Sequence, residues 1–232
     1  MKKLIFAVCT VAAGSALLAA DVESDNVYGI VNVASDTKTT VISVPWTRAN
    51  GSGNIPVSEL VSTASLATGD KLYYYEGSKW YSYTLLNSAW EPSTTVTDGE
   101  YAAATKAAEK YLSRGTALVL VRGNTVDHPI LLGGKYDSTP PSPTTVAPGA
   151  IAFIGNPATE TKYITAGNVG DTVQVFGDDG TGASIVYQKF ASGWYLTGAG
   201  RPTKVADGVP VDAGHGVMYH ASSSGSESVT VW

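Results

Sequence analysis

KLYYYEGSKWYSY, residues 71–83, consists of two short aromatic-rich runs on either side of Gly77-Ser78. A two-residue tip of the kind that takes glycine first makes it a β-hairpin. That tip sets Tyr75 opposite Trp80, Tyr74 opposite Tyr81 and Leu72 opposite Tyr83. Side chains alternate along a strand, so Leu72, Tyr74, Tyr81 and Tyr83 share one face, and Tyr73, Tyr75 and Trp80 share the other. A second hairpin, TVQVF (172–176) with IVYQKF (185–190), puts Val173, Val175, Ile185 and Tyr187 where the first face stands. All eight are apolar or aromatic, which predicts that this face is core. The opposite face is matched by Gln174, Phe176 and Ser184, a looser chemistry that predicts greater exposure.

The correspondence extends outward in both directions and keeps its order. VISVP (41–45) answers to AFIGNP (152–157), the Gly69-Asp70 pair to Gly170-Asp171, Trp90 to Trp194, and LSRGTALVLV (112–121) to VDAGHGVMYH (211–220). The offset is 112 residues at the prolines, 101 at the Gly-Asp pairs, 104 at the tyrosines and tryptophans, and 99 at Gly115 and Gly214. Small stepwise changes of this kind are what loop insertions in two copies of one structural unit produce. The expected fold is therefore all-β and mainly antiparallel with one inserted helix, two repeated β units forming a sandwich or barrel-like pair.

The first repeat spans 21–136 and the second 150–232, joined by 137–149, DSTPPSPTTVAPG, whose four prolines predict an extended connector. Helical insertions are expected in the first repeat only. One is near 56–62, with Asn54 as cap and Pro56 in the first turn; the other is near 100–113, where Thr97 and Glu100 have capping-box spacing, alanines favour helix and Gly115 can stop it. NVYGIVNV and TTVISVPW, on either side of Asp36-Thr37-Lys38, read as an opening hairpin. TALVLVR with PILLG, and HGVMYHA with SVTVW, read as closing hairpins.

Residues 1–20 have the parts of a secretory signal peptide: Lys2 and Lys3, an apolar run from Leu4 to Leu18, and Ala19-Ala20 before Asp21. The run is short for a membrane span, and no later stretch approaches the roughly 20 apolar residues of a transmembrane helix. The single cysteine, Cys9, lies inside this leader and too early for a lipid-attachment site, so the exported chain has no thiol for a disulfide or a metal. Loss of Lys2 and Lys3 makes the formal net charge of −5 more negative still, which argues against nucleic acid and anionic lipid as partners.

No hydrolase elbow, zinc-protease helix, phosphate loop or cysteine nucleophile is present. His215 and His220 stand five apart, on opposite faces of a strand, and their counterparts are Thr116 and Val121; neither they nor His128 is expected to ligate metal or catalyse. A hydrolase using Asp212, His215 and a loop serine has no support in the spacing. Asp178 and Asp179 in GDDGTG are candidate calcium ligands, against the plainer reading of a lengthened hairpin turn. Asp70 and Asp171 invite an acid/base reading, but their equivalence points to turn-forming carboxylates that bond nearby N–H groups. Tyr73, Tyr75 and Trp80 are the candidate ligand-binding residues, since exposed aromatic faces stack on sugar rings; the alternatives are a cross-strand pair that steadies the hairpin and coverage by the other copy.

The order of an ISVP-like strand, a GDKLYYY strand, a tryptophan-led strand and a glycine turn into ALVLVR resembles uncharacterised, internally duplicated, β-rich exported proteins of Gram-negative bacteria. That resemblance implies placement in the envelope, at the cell surface, in the periplasm or outside the cell, and carries no catalytic residue. The function expected is that of a secreted, non-enzymatic surface or envelope component with a structural or adhesive role and no cofactor. Exposed strand edges and aromatic patches would engage further copies or other envelope components. The alternative is a carbohydrate-binding module with a glycan ligand. An outer-membrane barrel is the weaker case, because the strand runs are shorter than the roughly 9–11 residues such strands need.

Overall fold

The protein is described by a computed structural model for residues 28–33, 39–48, 53–93, 99–123, 130–135, 137, 139–176, 184–198, 200–222, 225–229 and 231. The proposed leader, the Asp36–Lys38 turn, Thr97, His128 and the Asp178-Asp179 loop lie outside these residues.

The two halves have one plan. In the first are β1 (Tyr28–Val33), β2 (Thr39–Ser43), β3 (Ile55–Pro56), β4 (Lys71–Glu76), β5 (Lys79–Leu86), β6 (Ala89–Pro92), β7 (Tyr111–Leu112), β8 (Ala117–Val121) and β9 (Ile130–Lys135). In the second are β10 (Thr144–Val146), β11 (Ile151–Gly155), β12 (Lys162–Ile164), β13 (Thr172–Phe176), β14 (Ser184–Phe190), β15 (Gly193–Thr197), β16 (Thr203–Lys204), β17 (Val209–Val211), β18 (Gly216–His220) and β19 (Glu227–Val229). The main sheets run β2-β8-β4-β5-β6 and β11-β18-β13-β14-β15-β16. Ribbons β1–β9 and β3–β7 in the first half correspond to β10–β19 and β12–β17 in the second. All named pairings are antiparallel, and among the described residues no sheet closes into a barrel. Among the described residues β16 alone has no counterpart.

This pairing corrects the opening and closing hairpins. β1 pairs with β9 rather than β2, and β8 lies between β2 and β4. The strands are where the apolar runs place them, but their partners are distant in sequence. Each half is thereby a two-layer unit. Leu72, Tyr83, Leu118 and Leu120 of the main sheet meet Val33, Ile55, Leu112, Ile130 and Leu132 of the ribbons in one core. Val173, Tyr187, Val217 and Tyr219 meet Val146, Ile164, Val209, Val211 and Val229 in the other.

The register of the first hairpin is the one its tip dictates: Leu72 faces Tyr83, Tyr74 faces Tyr81, and Tyr75 faces Trp80. The turn itself differs from expectation. Gly77 and Ser78 both have positive φ (57° and 63°), as do Asn87 and Ser88 in the next turn, so the tip needs two left-handed residues rather than a glycine first. Seven of the eight inward positions are buried or packed against a core, but Ile185 is 44% exposed. Its counterpart Tyr81 stacks on Tyr74 beside Ala104 and Ala107 of the first half's insertion, and the second half has a shorter segment there.

That insertion is not a helix. In 100–113 the chain bridges β5 in parallel through Tyr101, with Trp80 N–H donating to the Glu100 carbonyl (2.8 Å) and Ala102 N–H donating to the Trp80 carbonyl (2.9 Å). One turn at Lys106–Lys110 is all that is helical before β7. Pairing with the sheet and burial of Ala107 override the intrinsic preference of the alanines. The α-helix among the described residues, α1, is the single turn Val57–Leu60 within 56–62, and neither Asn54 nor any other side chain caps it. Pro56 remains extended at ψ 148°, because it pairs with Tyr111 in β3–β7.

The halves are packed on each other, and the described part of the connector is docked against the first half and the second half's ribbon. Arg114 donates to the Thr139 carbonyl and, through Nε, to the Pro45 carbonyl (3.2 Å); it also lies 3.9 Å from Asp137. The Thr139 N–H (2.9 Å) and Arg114 hold the Asp137 carboxyl below its ordinary range despite partial burial. Thr144–Val146 then joins the second half as β10.

Candidate functional site

The predicted aromatic face is assembled around Trp80. Its backbone is fixed on one side by β4 and on the other by the Glu100–Ala102 segment, so the indole projects from the outer face of β5 in one orientation. Tyr75 meets it across the hairpin at 5.1 Å between centroids and 61° between planes; Tyr73 meets it at 6.5 Å and 87°. A fourth ring comes from the other half. Phe153 of β11 lies 5.1 Å from Trp80 and 6.3 Å from Tyr75. All four rings are half-buried. The structure thus brings the three predicted residues together and adds a partner that replaces Val41 of the first half.

Edge-to-face geometry is the favoured arrangement for such rings. It also means that the rings use part of their faces on one another and offer no coplanar platform. What remains is the half-open rim of Tyr73, Tyr75 and Trp80, an amphipathic surface with two phenol hydroxyls beside apolar carbon. Two further clefts carry no comparable arrangement. One of about 370 Å³ runs along the linker, where Arg114 and Asp137 are already engaged. The other, about 310 Å³, lies between β6 and Lys106–Ala108.

A second aromatic pair escaped the sequence reading. Phe190 and Tyr195, on the outer face at the end of the β14–β15 hairpin, meet edge to face at 5.1 Å and 75°, and Phe190 is 37% exposed. Tyr195 shares a hydrogen bond of 2.7 Å with Ser192. The counterparts are Leu86 and Glu91, so the signal was a pair of aromatics gained in one copy only.

The aspartates are structural, as their equivalence suggests. Asp70 accepts from the N–H groups of Ala67 and Gly123, each at 2.9 Å; Asp171 accepts from those of Asn168 and Ser222, each at 2.6 Å, and from the Tyr219 hydroxyl. Both are fully buried. Burial pushes the Asp171 carboxyl up, but the bonds from Ser222, Tyr219 and Asn168 outweigh it and hold the group below its ordinary range. His215 lies at the seam between the halves, with Nδ1 3.2 Å from the Ala213 carbonyl and its backbone bridged to Ile42, while His220 is exposed at the end of β18. Among the described residues no three His, Cys, Asp or Glu side chains form a metal-binding group. No helix among them is long and apolar enough to cross a membrane.

The outer edges of the main sheets are blunted. Pro92 ends β6, and β16 is only Thr203–Lys204 behind Pro202. Proline withholds a donor and lysine disfavours a second strand, both devices against edge-to-edge pairing.

No family model, curated protein or solved structure matches the chain.

Proposed function

We propose that this chain is an exported, non-enzymatic component of the bacterial envelope or cell surface, in which two β units fused back to back present aromatic patches to other envelope molecules or to further copies. The observation that carries this reading is the Phe190–Tyr195 pair at the end of the β14–β15 hairpin, in which Phe190 is exposed and Tyr195 half-buried. An exposed ring braced by a half-buried one on a hairpin end offers adhesive area with little ordering cost. The leader-like start and the acidic balance support export and a soluble exported form. The test is fractionation and pelleting. The chain from Asp21 onward should sediment with isolated envelopes, and Phe190→Ala with Tyr195→Ala should release it. Recovery of the unaltered chain entirely in the soluble fraction, with no self-association by light scattering, would contradict the reading.

The second reading, a carbohydrate-binding module, is favoured by the half-open rim of Tyr73, Tyr75 and Trp80. It predicts retention on polysaccharide gels that Trp80→Ala abolishes while the fold persists. Absence of retention across a broad glycan panel removes it.

A further inference from the structure

The seam between the halves is built as a two-fold interface. Ser43 N–H donates to the Gly214 carbonyl and Gly155 N–H to the Gly115 carbonyl, both at 2.7 Å. Ser43 corresponds to Gly155, and Gly115 to Gly214, so the two bonds exchange on swapping the halves. The bridges Ile42–His215 and Thr116–Ile154 exchange in the same way. At the axis the corresponding positions touch: a Cβ placed on Gly155 would lie 2.6 Å from the Ser43 Cβ, and one on Gly216 would lie 2.5 Å from the Ala117 Cβ. Such mutual contact is the signature of an isologous dimer interface, in which residue i meets j and j meets i. The aromatic cluster breaks the symmetry. Phe153 of the second half seats against Trp80 and Tyr75 of the first, whereas two first halves would bring only Val41 there.

We propose that this face is a dimerisation surface, satisfied within one chain in the closed form, and that it fits one partner in trans: the complementary half of a second copy of this chain. The inference is independent of the envelope reading. A short connector gives the cis partner an effective concentration on the order of millimolar, so the closed monomer prevails at micromolar chain. The docked residues 139–142 set that preference, because Arg114 holds Thr139 and Pro141 packs on Gly115 at the Ser113–Gly115 turn beside the seam. When the connector cannot span the distance, the same contacts form between chains and give a swapped dimer.

The experiment uses the chain from Asp21 to Trp232. Deleting Pro140, Pro141 and Ser142 removes about 10 Å of reach. The deletion chain should have twice the monomer mass by light scattering at concentrations where the unaltered chain is monomeric. Adding Gly155→Val, which drives a side chain into Ser43, should return it to monomer with its strand circular dichroism retained. A folded deletion chain that stays monomeric, or a dimer indifferent to Gly155→Val, overturns the proposal. If the deletion chain does not fold, refolding of the unaltered chain from urea decides: the dimer fraction should rise at least about tenfold between roughly 5 and 500 μM, as a bimolecular competitor of cis closure must. Monomer alone at both concentrations overturns it.

Discussion

Ser43 and Gly155 hold corresponding places in the two halves and meet each other face to face, so closely that the second position admits no side chain. One residue of the pair must be glycine for the halves to close. Gly155→Ala should therefore destabilise the protein by about 1–3 kcal/mol through overpacking. Gly133→Ala, at a strand glycine with open space around it, should change stability by no more than about 0.5 kcal/mol. Urea unfolding of both variants checks the difference, and Ser43→Gly should recover part of the first loss.

Asp171→Asn should be costly, because one carboxylate serves two backbone donors and the Tyr219 hydroxyl in a fully buried position. A loss of about 2–3 kcal/mol near neutral pH is expected for charge-assisted bonds of this kind. The folded state holds the group below its ordinary value. Its stabilising contribution is therefore complete above the unfolded value near about 4, and fades as pH falls through the lower folded value. The variant should lose this part of the acid dependence. Unfolding free energies between pH 2 and pH 7 would show an undiminished slope if the assignment is wrong.

Trp80→Ala should remove three ring contacts at once and loosen the seam as well as the hairpin. Tyr73→Ala breaks only one of them. With ring pairs contributing about 0.5–1.5 kcal/mol each, the tryptophan variant should lose at least about 1 kcal/mol more than the Tyr73 variant. Phe153→Ala should be non-additive with Trp80→Ala in a double-mutant cycle.

Ser78→Gly should stabilise the first hairpin. Ser78 has φ 63° with nothing but the turn to hold it there, and relief of a left-handed non-glycine residue offsets the added chain entropy by about 0.5 kcal/mol. The thermal midpoint should rise slightly.

Local patterns were legible in the sequence where one strand meets the next. The Gly77-Ser78 tip determined every pair from Leu72–Tyr83 to Tyr75–Trp80, because a one-residue slip would turn Leu72 outward. The duplication showed which positions face inward, and Asp70 and Asp171 as turn carboxylates. Pairings between distant strands were not legible. Nothing in NVYGIVNV distinguishes β2 from β9 as its neighbour, since both offer apolar alternation. The alanine-rich 100–113 misled for the complementary reason: its small side chains suit a helix and equally suit an extended segment laid on Tyr81. At the candidate site, Tyr73, Tyr75 and Trp80 followed from strand alternation. Phe153 did not, because its role depends on how the two halves pack.

Amide hydrogen exchange by NMR tests the seam between the halves most directly. The Ser43 and Gly155 N–H groups bond across the halves and not within their own sheets, so both should be protected in the full chain and both should lose protection together in Gly155→Val while the Leu72 and Val173 amides stay slow. Free exchange at Ser43 and Gly155 in the unaltered chain, with the strand amides protected, would contradict the two-fold packing of the halves.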